Sequence, residues 1–106
     1  MLLIREIMYC HPGKVKPLVE KFVAMSKLME KNGQGKMRIM TDLAAEQYWT
    51  AVAEFEVPSL DSFEKMMSGQ DTQGMSADDM KKMDEIMKGY HDLVVKGRRE
   101  IYKLEN

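Results

Sequence analysis

His91 stands four residues after Met87 and eight after Met83, a spacing that would set one imidazole and two thioethers on the same side of a helix. Such a set could hold a soft metal or haem iron, and the imidazole alone could accept a proton near neutral pH. The same spacing also describes ordinary core positions, with a ring nitrogen satisfied by a backbone carbonyl. Cys10 and His11 adjoin at the end of an apolar stretch, and a thiol beside an imidazole is raw material for nucleophilic catalysis. Neighbouring residues on a strand point to opposite faces, however, so these two side chains do not meet readily. Glu54 and Glu56 share a strand face, where Arg5 or Arg38 could pair with one of them, either as an acid–base couple or as a structural ion pair. Trp49 and Phe55, with Phe22, Phe63, Met83 and Met87, could line a cavity between a sheet and its helices or simply fill a core. Tyr9 lies near the end of a strand, where a pocket mouth could form.

The sequence has no glycine-rich phosphate loop, no spaced Cys/His zinc set and no defensible Ser/His/Asp arrangement, so no metal or other cofactor is expected. Its 106 residues form one expected domain, 1–106, long enough to bury a core without covalent staples. The single cysteine excludes an intramolecular disulfide and fits a reducing compartment; a cytoplasmic location is expected. Sixteen basic residues against seventeen acidic ones leave a net charge of -1, without a basic stripe that would suit nucleic acid. Arg5 and Glu6 interrupt the apolar start "MLLIREIMYC" well short of a membrane span, so no membrane association is expected. Methionine is abundant at twelve residues, six of them (Met66, Met67, Met75, Met80, Met83, Met87) clustered in the second half. Thioethers adapt their shape to irregular pockets and tolerant interfaces, and they serve equally in an ordinary core.

The elements that must position these residues follow from periodicity. Residues 2–10 read as a first strand, with Leu3, Arg5, Ile7 and Tyr9 on one face and Leu2, Ile4, Glu6 and Met8 on the other. After "HPGK", the spacing of Val15, Leu18, Val19, Phe22, Met25 and Met29 predicts a helix over 14–31, stopped by Asn32 and Gly33. "KMRIMTDL" (36–43) and "YWTAVAEFEV" (48–57) alternate as strands two and three, joined closely enough to be an antiparallel hairpin. Ser59 is placed to cap a short helix, and Ser76 with Asp79 resembles a capping box opening another. Met80, Met83, Met87, Tyr90 and Val94 extend that last helix until Gly97, after which 98–104 reads as strand four. The segment 68–75 between the two helices reads as a lid or as a plain loop.

The order β-α-β-β-α-β, with the second helix broken, predicts an α+β ferredoxin-like fold: a four-stranded antiparallel sheet with helices on one face. Strand one is apolar on both faces, and Val52 adds to the second. An apolar sheet face left open would be a liability, so two sheets are expected to pack face to face in a homodimer. The face carrying Trp49, Ala51, Ala53, Phe55 and Val57 is the expected helix side.

"IREIMYCHPGK" resembles the first strand and turn of dimeric α/β-barrel proteins, and "VAEFEVPSLDSFEKM" resembles their third strand and second helix. The similar proteins are of the NIPSNAP type and the antibiotic-biosynthesis monooxygenase-like group. That likeness implies a homodimeric barrel able to take a small apolar or aromatic ligand. It leaves two functions open: a cofactor-independent monooxygenase acting on an activated aromatic, or a non-enzymatic binding and interaction module. For the first, Trp49 and Tyr9 would contact substrate and His91 would orient it or take its proton. Haem-degrading relatives pair a helix histidine with an asparagine and a tryptophan; here the asparagines are Asn32 and Asn106, neither in strand one.

Overall fold

The computed structural model describes residues 1–68 and 76–106; the glycine-bearing stretch 69–75, including Met75, lies outside them. The chain runs through β1 (Leu2–Cys10), α1 (Val15–Lys31), β2 (Arg38–Thr41), β3 (Thr50–Val57), α2 (Leu60–Met67), α3 (Ala77–Met87) and β4 (Val94–Lys103). The strands form one antiparallel sheet in the order β2-β3-β1-β4, the ferredoxin-like arrangement expected from the sequence.

Alternation along the two central strands divides the sheet cleanly. Ile4, Met8 and Cys10 of β1 and Ala51, Ala53, Phe55 and Val57 of β3 face the helices. Ala51 and Ala53 are completely covered, and above them α1 buries Leu18, Phe22 and Met29. A second cluster, Ile4, Val57 and Phe63, sits beneath α2. Phe55 packs against both clusters, its ring centre 6.3 Å from that of Phe63. Burying an apolar side chain of this size contributes about 1.5–3 kcal/mol, so these clusters hold the helices to the sheet.

Local chemistry sets the helix boundaries. Pro17 falls in the first turn of α1, where an amide donor is dispensable. At its other end Gly33 takes φ +71, and the Gln34 N–H reaches back to the Met29 carbonyl at 2.9 Å. Ser59 Oγ accepts the Ser62 N–H at 3.2 Å and Ser76 Oγ accepts the Asp79 N–H at 3.1 Å, the two caps foreseen. Side chains then fasten α3 to α1. Lys21 Nζ donates to the Ile86 and Lys88 carbonyls at 2.9 and 2.8 Å, satisfying the end of α3. The buried Asp79 carboxylate accepts from Asn32 Nδ2 at 3.2 Å and Lys31 Nζ at 3.3 Å. The Asn32 amide, aided by Lys31 and Lys82, holds this carboxyl below the usual carboxylate range.

The last third of the chain departs from the expected boundaries. The helix does not run on to Gly97: α3 ends at Met87, Gly89 takes φ +82, and a single 3-10 turn, Tyr90–Asp92, leads into β4. Strand four therefore begins at Val94, and Gly97 lies inside it. A side chain at Gly97 would meet the sulfur of Met8 at 2.8 Å, so this glycine lets a neighbouring-strand methionine lie across the backbone. The hairpin strands are also shorter than expected. β3 starts at Thr50, because Trp49 adopts φ 61 and turns out of the strand.

Candidate functional site

Among the described residues no helix covers the second sheet face, and that face carries most of the polar chemistry. Leu3, Arg5, Ile7 and Tyr9 project there from β1, with Thr50, Val52 and Glu54 from β3 and Arg98, Glu100 and Tyr102 from β4, as the register requires. Glu54 is only 4% exposed and is shared by two arginines. Arg5 donates to its Oε2 through Nε at 3.1 Å and Nη2 at 2.9 Å, while Arg38 from β2 pairs with its other oxygen. Arg5 also lies 3.7 Å from Glu100, which pairs with Arg98 at 3.0 Å; Arg98 reaches Glu46 at 3.7 Å. Three arginines and three glutamates thus pair off in one network across all four strands. Two Arg5 N–H groups converge on one Glu54 oxygen, and such charge-assisted bonds tie β1 to β3 in register. The Tyr102 hydroxyl donates to Glu100 at 2.8 Å, and that carboxylate raises the phenol pKa above its ordinary value, so the proton stays on. An open cleft of about 500 Å³ lies over Ile7, Tyr9 and Val52, walled by Arg5, Arg98 and the loop residue Glu46.

A second cleft, of about 650 Å³, opens between α1 and the end of the β2–β3 hairpin. Val15 and Val19 form its apolar side, Trp49 and Tyr48 its aromatic side, and Lys16 and Asp42 supply charge. Trp49 sits in the left-handed region without being glycine, a placement costing on the order of 1–3 kcal/mol that the surroundings must hold. They do so through the backbone. The Cys10 N–H donates to the Trp49 carbonyl at 2.8 Å, and the next residue, Thr50, donates its N–H to Asp42 Oδ1 at 2.9 Å and its hydroxyl to the Gln47 carbonyl at 2.8 Å. Cys10 itself is buried, and burial, with Asp42 nearby, pushes its thiol pKa up; the protonated, inert form dominates at neutral pH.

The residues singled out from the sequence do not converge on one place. Tyr9 lies on the helix-free face, buried beneath the first cleft. Trp49 lines the second cleft and is 44% exposed, so it is not part of the helix-side core where its alternation with Ala51 placed it. Phe55, Met83 and Met87 pack partly buried against the core, and Phe22 and Phe63 are buried in it. His91 stands exposed in the 3-10 turn beyond α3, stacked 4.0 Å from the Tyr90 ring, and lines neither cleft. It is therefore not in helical register with Met83 and Met87, because Gly89 breaks the helix between them. Among the described residues no three His, Cys, Asp or Glu side chains gather as a metal site would require, and no helix is long and apolar enough to cross a membrane. The pairing of Arg5 and Arg38 with a glutamate was legible from strand faces. Arg98, Glu100 and Lys16 were not, since their roles depend on the register of β4 and on where α1 crosses the hairpin.

The sequence matches no protein-family model and no curated protein. Solved structures, by contrast, share the fold along almost its whole length. A NIPSNAP family protein from Agrobacterium tumefaciens superposes with a TM-score of 0.69 at 11% identity, covering 99% of this chain and 93% of its own. An uncharacterized NIPSNAP-like domain protein from Burkholderia xenovorans gives a TM-score of 0.66 at 9% identity, covering 99% and 85% respectively. A dimeric ferredoxin-like protein from an uncultured marine organism gives 0.56 at 14% identity, covering 99% and 88%. The chain thus has the ferredoxin-like fold of NIPSNAP-type proteins, as its first strand and third strand suggested.

Proposed function

We propose that this protein is a homodimeric small-molecule-binding module whose two copies meet through the helix-free sheet face. The observation that carries the homodimer is the composition of that face, while the ligand-binding reading is supported by the two open clefts of about 500 and 650 Å³. Leu3, Ile7, Tyr9 and Val52 run along the central strands with no helix over them among the described residues; Ile7 and Tyr9 are already buried, Met40 and Tyr102 add exposed apolar surface beside them, and the arginines there are already paired within the chain. Paired charges of this kind can be brought against a second copy with less desolvation penalty than isolated ones. The marine relative is described as dimeric, which is in keeping with this reading.

The alternative of a cofactor-independent monooxygenase needs a proton acceptor beside an apolar pocket. His91, the candidate for that role, borders neither cleft, so the binding module is the better reading of the geometry. Native mass spectrometry of freshly purified protein tests the proposal. A species of twice the chain mass is the expected result, and a species of single chain mass at micromolar concentration would refute it.

A further inference from the structure

The cleft over Ile7, Tyr9 and Val52 holds two tyrosines in different states. Tyr102 is half exposed, and its hydroxyl already donates to Glu100 at 2.8 Å. Tyr9 is only 7% exposed, and its hydroxyl makes no hydrogen bond among the described residues. Every fully covered side-chain nitrogen or oxygen there does have a partner, so the Tyr9 hydroxyl is the part of the residue still open to the cleft. A phenol sunk among apolar side chains gains when a hydrogen-bonding partner meets it. The charges around it favour an ion of neither sign. Arg5 and Arg98 line the cleft with Glu46 and Glu100, and all four are paired within the chain. Lys96 lies 5.4 Å over the Tyr9 ring and outside the lining. A charged group brought in would lose water without a net counter-charge to replace it. Ile7, Val52 and Met40 supply apolar surface, and the volume of about 500 Å³ suits a compact organic molecule.

We propose that this cleft binds an uncharged, largely apolar molecule through an oxygen that accepts a hydrogen bond from Tyr9, with the second copy closing the site. The proposal rests on the reading of the helix-free face as the dimer contact and gives that binding module a site and a ligand class. Gln47, from the β2–β3 loop, adds an uncharged amide to the lining. A ligand enclosed between two copies binds the dimer alone, so ligand and dimer stabilise each other.

The isotope-labelled full chain is titrated with acetophenone, ethylbenzene, benzoate and benzylammonium, probes of similar size that differ in oxygen and charge, and followed by nuclear magnetic resonance. Saturable shifts at the Ile7, Tyr9 and Val52 amides are expected with acetophenone, and both ions should bind at least roughly tenfold more weakly. Tyr9→Phe keeps the ring and should weaken acetophenone roughly threefold to tenfold while leaving ethylbenzene unchanged. Saturating acetophenone should also lower the dimer dissociation constant in sedimentation equilibrium. Absence of saturable shifts, or undiminished acetophenone affinity in Tyr9→Phe of native-like circular dichroism, would overturn the site. Either ion binding as tightly as the ketone would overturn the ligand class, and an unaltered dimer dissociation constant would overturn the enclosure. The oligomeric state separates this proposal from the reading it rests on: a dimer that ignores acetophenone overturns the site alone, and a monomer that binds it overturns the homodimer and the enclosure while the cleft stands.

Discussion

The two faces of the sheet solve different problems with the same four strands. On the helix side, β3 presents Ala51, Ala53, Phe55 and Val57 in succession, and the layer above supplies Leu18, Phe22 and Phe63. A charged pair lies within it too: Glu6, between Ile4 and Met8 on β1, pairs with Arg99 of β4, whose guanidinium lies 5.0 Å over the Phe63 ring. On the other side, every central apolar residue of β1 has a charged neighbour: Arg5 between Leu3 and Ile7, with Glu54 and Glu100 directly opposite in register. The first face is held by shape and area. The second is held by a network whose members are each satisfied, and it keeps an apolar strip between them. That contrast is what supports the proposal that the second face receives another copy.

Substitutions on each face should separate these two kinds of support. Phe22→Ala, on the covered face, should have the largest effect, a loss of about 3–5 kcal/mol in chemical denaturation, because Phe22 is buried and a cavity would remain. Glu54→Ala, on the open face and measured at dilutions that keep the copies apart, should cost less, about 1–3 kcal/mol, since in a single copy Arg5 and Arg38 lose a shared carboxylate but keep access to water. An equal or larger loss for Glu54→Ala would mean that the open face is as integral to the single chain as the core. The smallest effect concerns the edge of the helix layer. Asp79 has a lowered carboxyl pKa, so its contribution is fully present above the unfolded value of about 4 and is lost as pH falls through the lower folded value. Thermal unfolding followed from pH 6 downward should show that acid-side decline, and Asp79→Asn should flatten it. An unchanged profile in the variant would remove Asp79 from the account.

Much of this contrast was legible in the sequence, for reasons that differ by element. β1 was readable because its apolar content on both faces sets its position at the sheet centre, and α1 because its stripe is unbroken from Val15 to Met29. Ser59 and Ser76 were readable because capping is a local chemistry, completed within three residues. The end of α3 was not. Met87, Tyr90 and Val94 keep helical spacing across a turn that is no longer α-helical, and the stop is made by Gly89 while Gly97 draws attention as the later glycine. Gly97 has its meaning only beside Met8, a residue some ninety positions away that no local pattern connects to it. Trp49 was misplaced for a similar reason. Alternation carries through it, and its turn out of the strand depends on bonds to Cys10 and on the neighbouring Asp42–Thr50 contact.

The central claim, that the helix-free face is where two copies meet, is tested most directly by sedimentation equilibrium of Val52→Arg beside the unmodified chain. Val52 lies mid-strand opposite Ile7 at the centre of the apolar strip. An added unpaired charge there would have to be buried in the dimer but could remain solvated in a single copy. The account predicts a dimer for the unmodified chain and a monomer with unchanged circular dichroism for the variant. A Val52→Arg dimer of undiminished stability would contradict it.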